Sequence, residues 1–481
     1  MIPLVLILIP LIGGLFLLLS GKIGNKAMAV GFSTINALIT IAAAYFYYTD
    51  IQLGAFNQTV NLFGIKFLLS LNEFGNQGGN LSLAMVLLTN ILYPIILLTA
   101  NKNIKSEGAF YGLLLLIQSG LVGVFTAWDV ISFYIFFEMG LVPAYFLVGI
   151  WGSGDDKAKI AFKFFVYTLF GSLIMLVAII YLVNASGMGF HTDYGSIFNT
   201  ARNLDLKTQM ELTGFFLLAF MIKMPMVPFH TWQPKTYRTA PTTVTMVLSA
   251  LMAKMGLYGI IRFVMTAMPA AYHHLQPYMM VLAIAGIIYA AVIAIRQDDL
   301  KSLMAYSSIS HMALMAAGIF AFNLSGFEAS VLQMFNHGII VVGLLFAVEL
   351  IHQQTGTYKI SELGGIAKNA PRLATCFLIM LLASVGLPLT NGFVGEFLLL
   401  KGIFQSEVRY SHVLALFAGL TIILGAVYML RSYQYAMYGE TNEVTVQTKD
   451  ISITQLLIWI PLIAIVLALG IFPNLFLNLI F

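Results

Sequence analysis

Apolar runs separated by short polar or charged breaks repeat along the whole chain. About 20 apolar residues in a helix span the hydrocarbon core of a bilayer, so each run predicts a transmembrane helix. Fourteen are predicted, near 2–20, 27–49, 81–100, 108–127, 129–151, 159–184, 211–234, 240–266, 278–296, 302–322, 328–352, 372–404, 411–435 and 453–478. The first run, Ile2–Leu19, lacks a basic leader and an A-x-A site, and reads as a retained helix. The longest excursions, Asp50–Asn80 and Ala185–Met210, are too short for a separate soluble domain. The expectation is an all-α polytopic membrane protein with a single membrane domain over 1–481.

Two of these helices carry breakers near their middles. The seventh reads FMIKMPMVPFHTW, with Pro225 and Pro228. The twelfth reads LLASVGLPLTNGFVGEFLLLKG, with Gly386, Pro388, Gly392 and Gly395. Proline removes a backbone donor and clashes one turn back, so both helices should be broken. The breaks lie five helices apart, and an odd offset gives two five-helix units of opposite topology. That predicts inverted repeats over 108–266 (helices 4–8) and 278–435 (helices 9–13), preceded by helices 1–3 within 1–107 and followed by helix 14 at 453–478. Broken helices at matching places in inverted repeats point to a transport site.

Composition sharpens the class. The 481 residues are 60% apolar and 9% charged, too little polar surface to cover a soluble fold. The single cysteine, Cys376, excludes a disulfide framework, a zinc cluster and cysteine-ligated iron–sulfur chemistry on this chain. The net charge of +4 is spread without a basic block, which excludes nucleic acid as an expected partner. No phosphate-binding glycine string occurs, and no histidine pair has metal-ligand spacing on one helix face, so neither nucleotide nor metal is expected. Alternate loops hold 16 and 4 basic residues, which places both termini outside by the positive-inside rule. Trp128, Trp151 and Trp232 fall at predicted helix ends, as an aromatic belt requires.

Six titratable side chains interrupt the apolar runs. Glu138, Lys223, Lys254, His311 and His337 each lie near the centre of a different span, and Glu396 follows the break in the twelfth. An ionised group at the bilayer centre costs about 2.5–3.5 kcal/mol, so these groups must face the bundle interior, a partner or water. Carboxylates and ammonium groups that can approach or part, with histidines between them, suit proton transfer. The bland alternatives are a structural Glu138–Lys223 ion pair, hydrogen-bonded core histidines, and a fixed Glu396–Lys401 pair near one side.

At these residues the chain resembles the proton-pumping, antiporter-like membrane subunits of respiratory complex I, and most closely their M-type branch. The matching strings are FYIFFEMGLVPAYFLVGIWG, KFFVYTLFGSLIML, FMIKMPMVPFHTW, RQDDLKSLMAYSSISHM, MFNHG and NGFVGEF, collinear from about Trp128 to Leu400. The resemblance implies the fourteen helices, the two inverted repeats and the broken helices seven and twelve. It implies that Glu138 and Lys223 form an interacting pair, that Lys254, His311 and His337 form a central hydrophilic axis, and that Glu396 ends the second half. Sibling branches usually carry lysine where this chain has Glu396.

The function implied is proton translocation within a NADH:quinone oxidoreductase of a bacterial inner membrane. NADH, FMN, iron–sulfur clusters and quinone would then sit on partner subunits, with L- and N-type antiporter-like subunits as neighbours. Two departures stand out: Pro234–Tyr237 reads PKTY where the family usually has PDAH, and EFGNQGGNLSL replaces a shorter motif before helix three. The alternatives are a subunit of a multi-chain Mrp-type cation/proton antiporter and a structural membrane spacer with buried ion pairs.

Overall fold

The computed structural model describes residues 2–20, 25–49, 56–62, 65–71, 80–101, 104–187 and 192–481. Its first helices are α1 (Ile2–Ser20), α2 (Asn25–Tyr48), α3 (Leu81–Thr99), α4 (Glu107–Thr126), α5 (Val130–Met139), α6 (Leu141–Trp151) and α7 (Lys157–Ser186). Next come α8 (Tyr194–Arg202), α9 (Leu206–Lys223), α10 (Gln233–Thr239), α11 (Thr242–Val247) and α12 (Lys254–Gly259). The remainder is α13 (Pro269–Ile295), α14 (Leu300–Ile319), α15 (Leu324–Thr355), α16 (Ile366–Asn369), α17 (Pro371–Ser384), α18 (Asn391–Phe404), α19 (Ser411–Met437), α20 (Ile453–Ile471) and α21 (Asn474–Ile480).

Among the described residues, 12 helical stretches are long and apolar enough to cross a membrane. Burial sorts them into two shells. The stretch Thr242–Thr266 is buried throughout, and α3, α4, α14 and α15 nearly so, whereas α1, α2, α7, α19 and α20 turn most of their surface outward. A helix that is apolar all round must meet either protein or lipid on every side. The inner helices meet protein, and they carry Lys254, His311 and His337.

Both expected breaks are present. Helix stops at Lys223 and resumes at Gln233, with Pro225 and Pro228 in the gap; it stops again at Ser384 and resumes at Asn391, with Pro388 in the gap. Gly386 takes a left-handed φ of 69° there, which a β-carbon would disfavour.

Other segments depart from the expectation. The predicted fifth helix is divided at Gly140, and the predicted fourteenth at Phe472–Pro473. The predicted eighth contains two π-helical segments, Leu248–Met252 and Ile260–Thr266. The fold is not wholly α: an antiparallel hairpin, β1 (Asn57–Leu62) with β2 (Ile65–Ser70), forms within the first long excursion. The second excursion contains α8.

Loop contacts separate the two ends of the bundle. At one end, ion pairs join Arg238 to Asp299 (3.3 Å), Lys368 to Glu440 (3.0 Å) and Arg372 to Asp450 (3.8 Å), all among loops assigned to the basic side. Lys22 and Lys102 of that set lie outside the described residues. Lys301 is buried and donates to the Ala240 carbonyl at 2.5 Å, so it is not a loop cation. At the opposite end the hairpin docks on the start of α5. Trp128 N–H donates to Leu68 O (2.8 Å), and Leu68 N–H donates to the Asp129 carboxylate (2.9 Å). Asp129 also caps α5 by accepting from the Ile131 and Ser132 amides, which satisfies two donors the helix cannot.

Candidate functional site

The buried polar groups from Lys254 to Glu396 form one line. Lys254 opens α12 directly after the first π segment. There the Ala253 amide donates five residues back, to Leu248 O. Lys254 Nζ then donates to Ser249 O at 2.8 Å and to His337 Nδ1 at 2.8 Å. A π-helical turn inside an α-helix often marks a functional position, and here it aims an ammonium group across the core.

His337, in the middle of α15, has its ring centroid 5.6 Å from that of His311 on α14. His311 Nδ1 lies 3.4 Å from Glu396 Oε1 on α18. Lys254, His337, His311 and Glu396 are all buried, and they connect four different helices. His337 Nε2, both ring nitrogens of His311 and Glu396 Oε2 have no hydrogen-bond partner among the described residues. The two histidines share a cavity of about 10 Å³ with Ser307, Gln333 and Ser384, large enough for about one water molecule.

Close packing holds Glu396 in place. A β-carbon on Gly392 would collide with the Ala383 carbonyl, and one on Gly395 with the Gln333 side chain. Glycines at these two places let α18 approach α17 and α15 and carry Glu396 to His311. Asn336 and Asn391 tie the restart of the broken helix to α15: Asn336 donates to Asn391 O (2.8 Å), and Asn391 donates to Asn336 Oδ1 (3.0 Å).

The first half is arranged differently. Lys223 ends α9 at the break, buried, with Nζ 4.5 Å from the centre of the Phe137 ring. Its opposing charge is Glu138, half-buried near the end of α5. No ion pair within 4.0 Å joins them among the described residues, although each charge lies close enough to act on the other. A β-carbon on Gly256 would lie 2.6 Å from Phe220 O, so the end of α9 abuts the helix of Lys254.

Three expectations need correction or extension. The Glu396–Lys401 pair is not formed: Glu396 faces His311, and Lys401 is exposed. Trp232 is not a belt residue; it is buried, and its indole donates to Ile222 O at 3.0 Å, satisfying a carbonyl freed by the break. Sequence reasoning missed Ser249, Ser307, Gln333 and Tyr428. Ser307 sits one turn before His311 in AYSSISHM, which was the available signal.

Comparison with known proteins agrees with this geometry. Residues 127–425 match the family described as NADH:quinone oxidoreductase/Mrp antiporter, TM. NADH-quinone oxidoreductase subunit M of Rickettsia typhi is 36% identical, across 98% of this chain and 95% of that protein. NADH-ubiquinone oxidoreductase chain 4 of Marchantia polymorpha is 34% identical, across 98% and 94%. A chain of respiratory complex I from Thermus thermophilus superposes with a TM-score of 0.88 at 29% identity, covering 100% of this chain and 97% of that one. By its inner helices, its two breaks and these relatives, the chain belongs to the family of NADH-quinone oxidoreductase subunit M and NADH-ubiquinone oxidoreductase chain 4.

Proposed function

We propose that this chain is a proton-translocating membrane subunit of a NADH:quinone oxidoreductase, driven by electron transfer on partner subunits. The reading rests above all on the buried line Lys254–His337–His311–Glu396, in which each member is a titratable group adjacent to the next. Lys254 hands a proton to His337, whose Nδ1 already accepts from it. Water in the shared cavity carries it to His311, and Glu396 receives it 3.4 Å further on. Closure of the Glu138–Lys223 gap raises the proton affinity of Lys223, and opening lowers it, which couples the first half to the second. Pro225, Pro228 and Pro388 break the helices where these charges sit and leave backbone groups free for water.

Counting each broken helix as one crossing, the chain crosses the membrane fourteen times in two inverted five-helix repeats. It lies in a bacterial inner membrane with both termini outside, beside L- and N-type subunits. Asn199→Cys on α8 should then react with an impermeant thiol reagent from outside and Ser153→Cys should not; the opposite pattern sinks this orientation. NADH, FMN, iron–sulfur and quinone chemistry belong to partners, since one buried cysteine cannot supply a cluster's four thiolates.

The test is Lys254→Met in the assembled complex in sealed vesicles. Methionine keeps the length and apolar stem but cannot titrate. Proton uptake coupled to NADH oxidation should collapse; wild-type pumping would refute the relay. The Mrp-type antiporter reading predicts that partner chains lacking redox cofactors copurify instead.

A further inference from the structure

We infer that protons reach the two histidines from the basic end of the bundle through Tyr428 and Ser307, an inference that rests on the relay proposed above. A cleft of about 560 Å³ opens among Arg296, Asp298, Ser361, Arg431 and Tyr435, at the end where the loop ion pairs gather. Tyr428 on α19 also lines that cleft, although its side chain is otherwise fully buried. Its hydroxyl shares a 3.1 Å hydrogen bond with Ser307 Oγ. Ser307 in turn lines the small cavity that holds His311 and His337. One tyrosine and one serine therefore link the lining of a wide cleft to the lining of the buried cavity.

Both hydroxyls donate and accept, which is what a proton wire requires. A proton from cleft water attaches to the Tyr428 oxygen as the tyrosine's own proton passes to Ser307 Oγ. The serine releases its original proton to cavity water, which delivers it to the unpartnered Nε2 of His337 or a ring nitrogen of His311. Each oxygen of the wire and of the cavity water gains one O–H bond and loses one, the imidazole gains an N–H, and a hydronium in the cleft loses one O–H bond to become water. Rotation of the two hydroxyls then resets the wire.

A second cleft at the same end, about 640 Å³, reaches Thr242, Glu349, His352 and Tyr358. Its innermost hydroxyl contact, Thr242 to Tyr358 at 3.4 Å, leads to no further hydroxyl among the described residues. Of these two clefts, the one lined by Tyr428 is linked by hydroxyls to the histidine cavity among the described residues.

The test compares Tyr428→Phe, Ser307→Ala and Ser307→Thr with Lys254→Met, all in the assembled complex in sealed vesicles. Proton uptake should fall about a hundredfold in Tyr428→Phe and Ser307→Ala, the lower end of what a positioned proton carrier contributes. Ser307→Thr keeps the hydroxyl and should pump within about twofold of wild type, which a loss of packing alone would not restore. The solvent deuterium isotope effect on uptake should rise in Tyr428→Phe, because the slowed step is a proton transfer. If Lys254→Met abolishes uptake while both hydroxyl deletions pump at the wild-type rate, the path is wrong and the relay stands. If Lys254→Met itself pumps normally, the relay has failed and this path with it. Should Tyr428→Phe not assemble, Ser307→Ala decides alone.

Discussion

Trp232 plugs the first helix break from within its own chain segment, whereas the second break is stitched to a neighbour by the Asn336–Asn391 pair. The charges differ in the same sense. Lys223 faces an aromatic ring, with its carboxylate partner out of ion-pair reach, while Glu396 already lies against His311. The first half thus holds its lysine against an aromatic ring, and the second holds its carboxylate beside a histidine.

The sharpest way to break this contrast is at the second half. Glu396→Ala should abolish proton pumping in vesicles while the complex stays assembled, and Lys401→Ala, five residues along and exposed, should leave pumping intact. Equal effects from the two would restore the fixed-pair alternative. Next in size is Glu138→Gln, which preserves volume and hydrogen bonding without charge. It should slow pumping about tenfold, and a normal rate would reduce the first half to scaffolding.

Packing effects come third. Gly392→Ala must push against the Ala383 carbonyl and should lower the thermal stability of the complex by about 1–3 kcal/mol. Gly214→Ala on α9, where a β-carbon meets nothing within 4 Å, should be neutral or slightly stabilising by the same melting assay. Smallest of the expected losses is that of Trp232→Phe, which keeps an aromatic ring and removes one buried hydrogen bond. About 1 kcal/mol of stability should be lost, with Ile222 O left unpaired.

The breaks were legible in the sequence because proline and glycine act through their own covalent geometry, whatever surrounds them. The six titratable residues were legible because an apolar run makes any charge conspicuous and costly. What stayed hidden depends on distant partners. Nothing in AYSSISHM says that Ser307 meets a tyrosine 121 residues later, and nothing in the seventh helix says that Trp232 folds back to Ile222. The hairpin at Asn57–Ser70 was masked for a related reason: its docking site is the start of α5, with Asp129 as anchor. The two π segments carry neither proline nor a run of glycine, so packing against neighbours decides them.

The first of those segments makes the placement of Lys254 a matter of residue count. A helix that widens over Leu248–Met252 accommodates one residue more than regular winding would. Winding the same residues as a regular helix would turn everything beyond the segment by about 100°. The lysine would then face away from His337, although every side chain of the axis was still encoded. A related chain one residue shorter between Pro241 and this lysine needs no widened segment to bring its ammonium group to the same place.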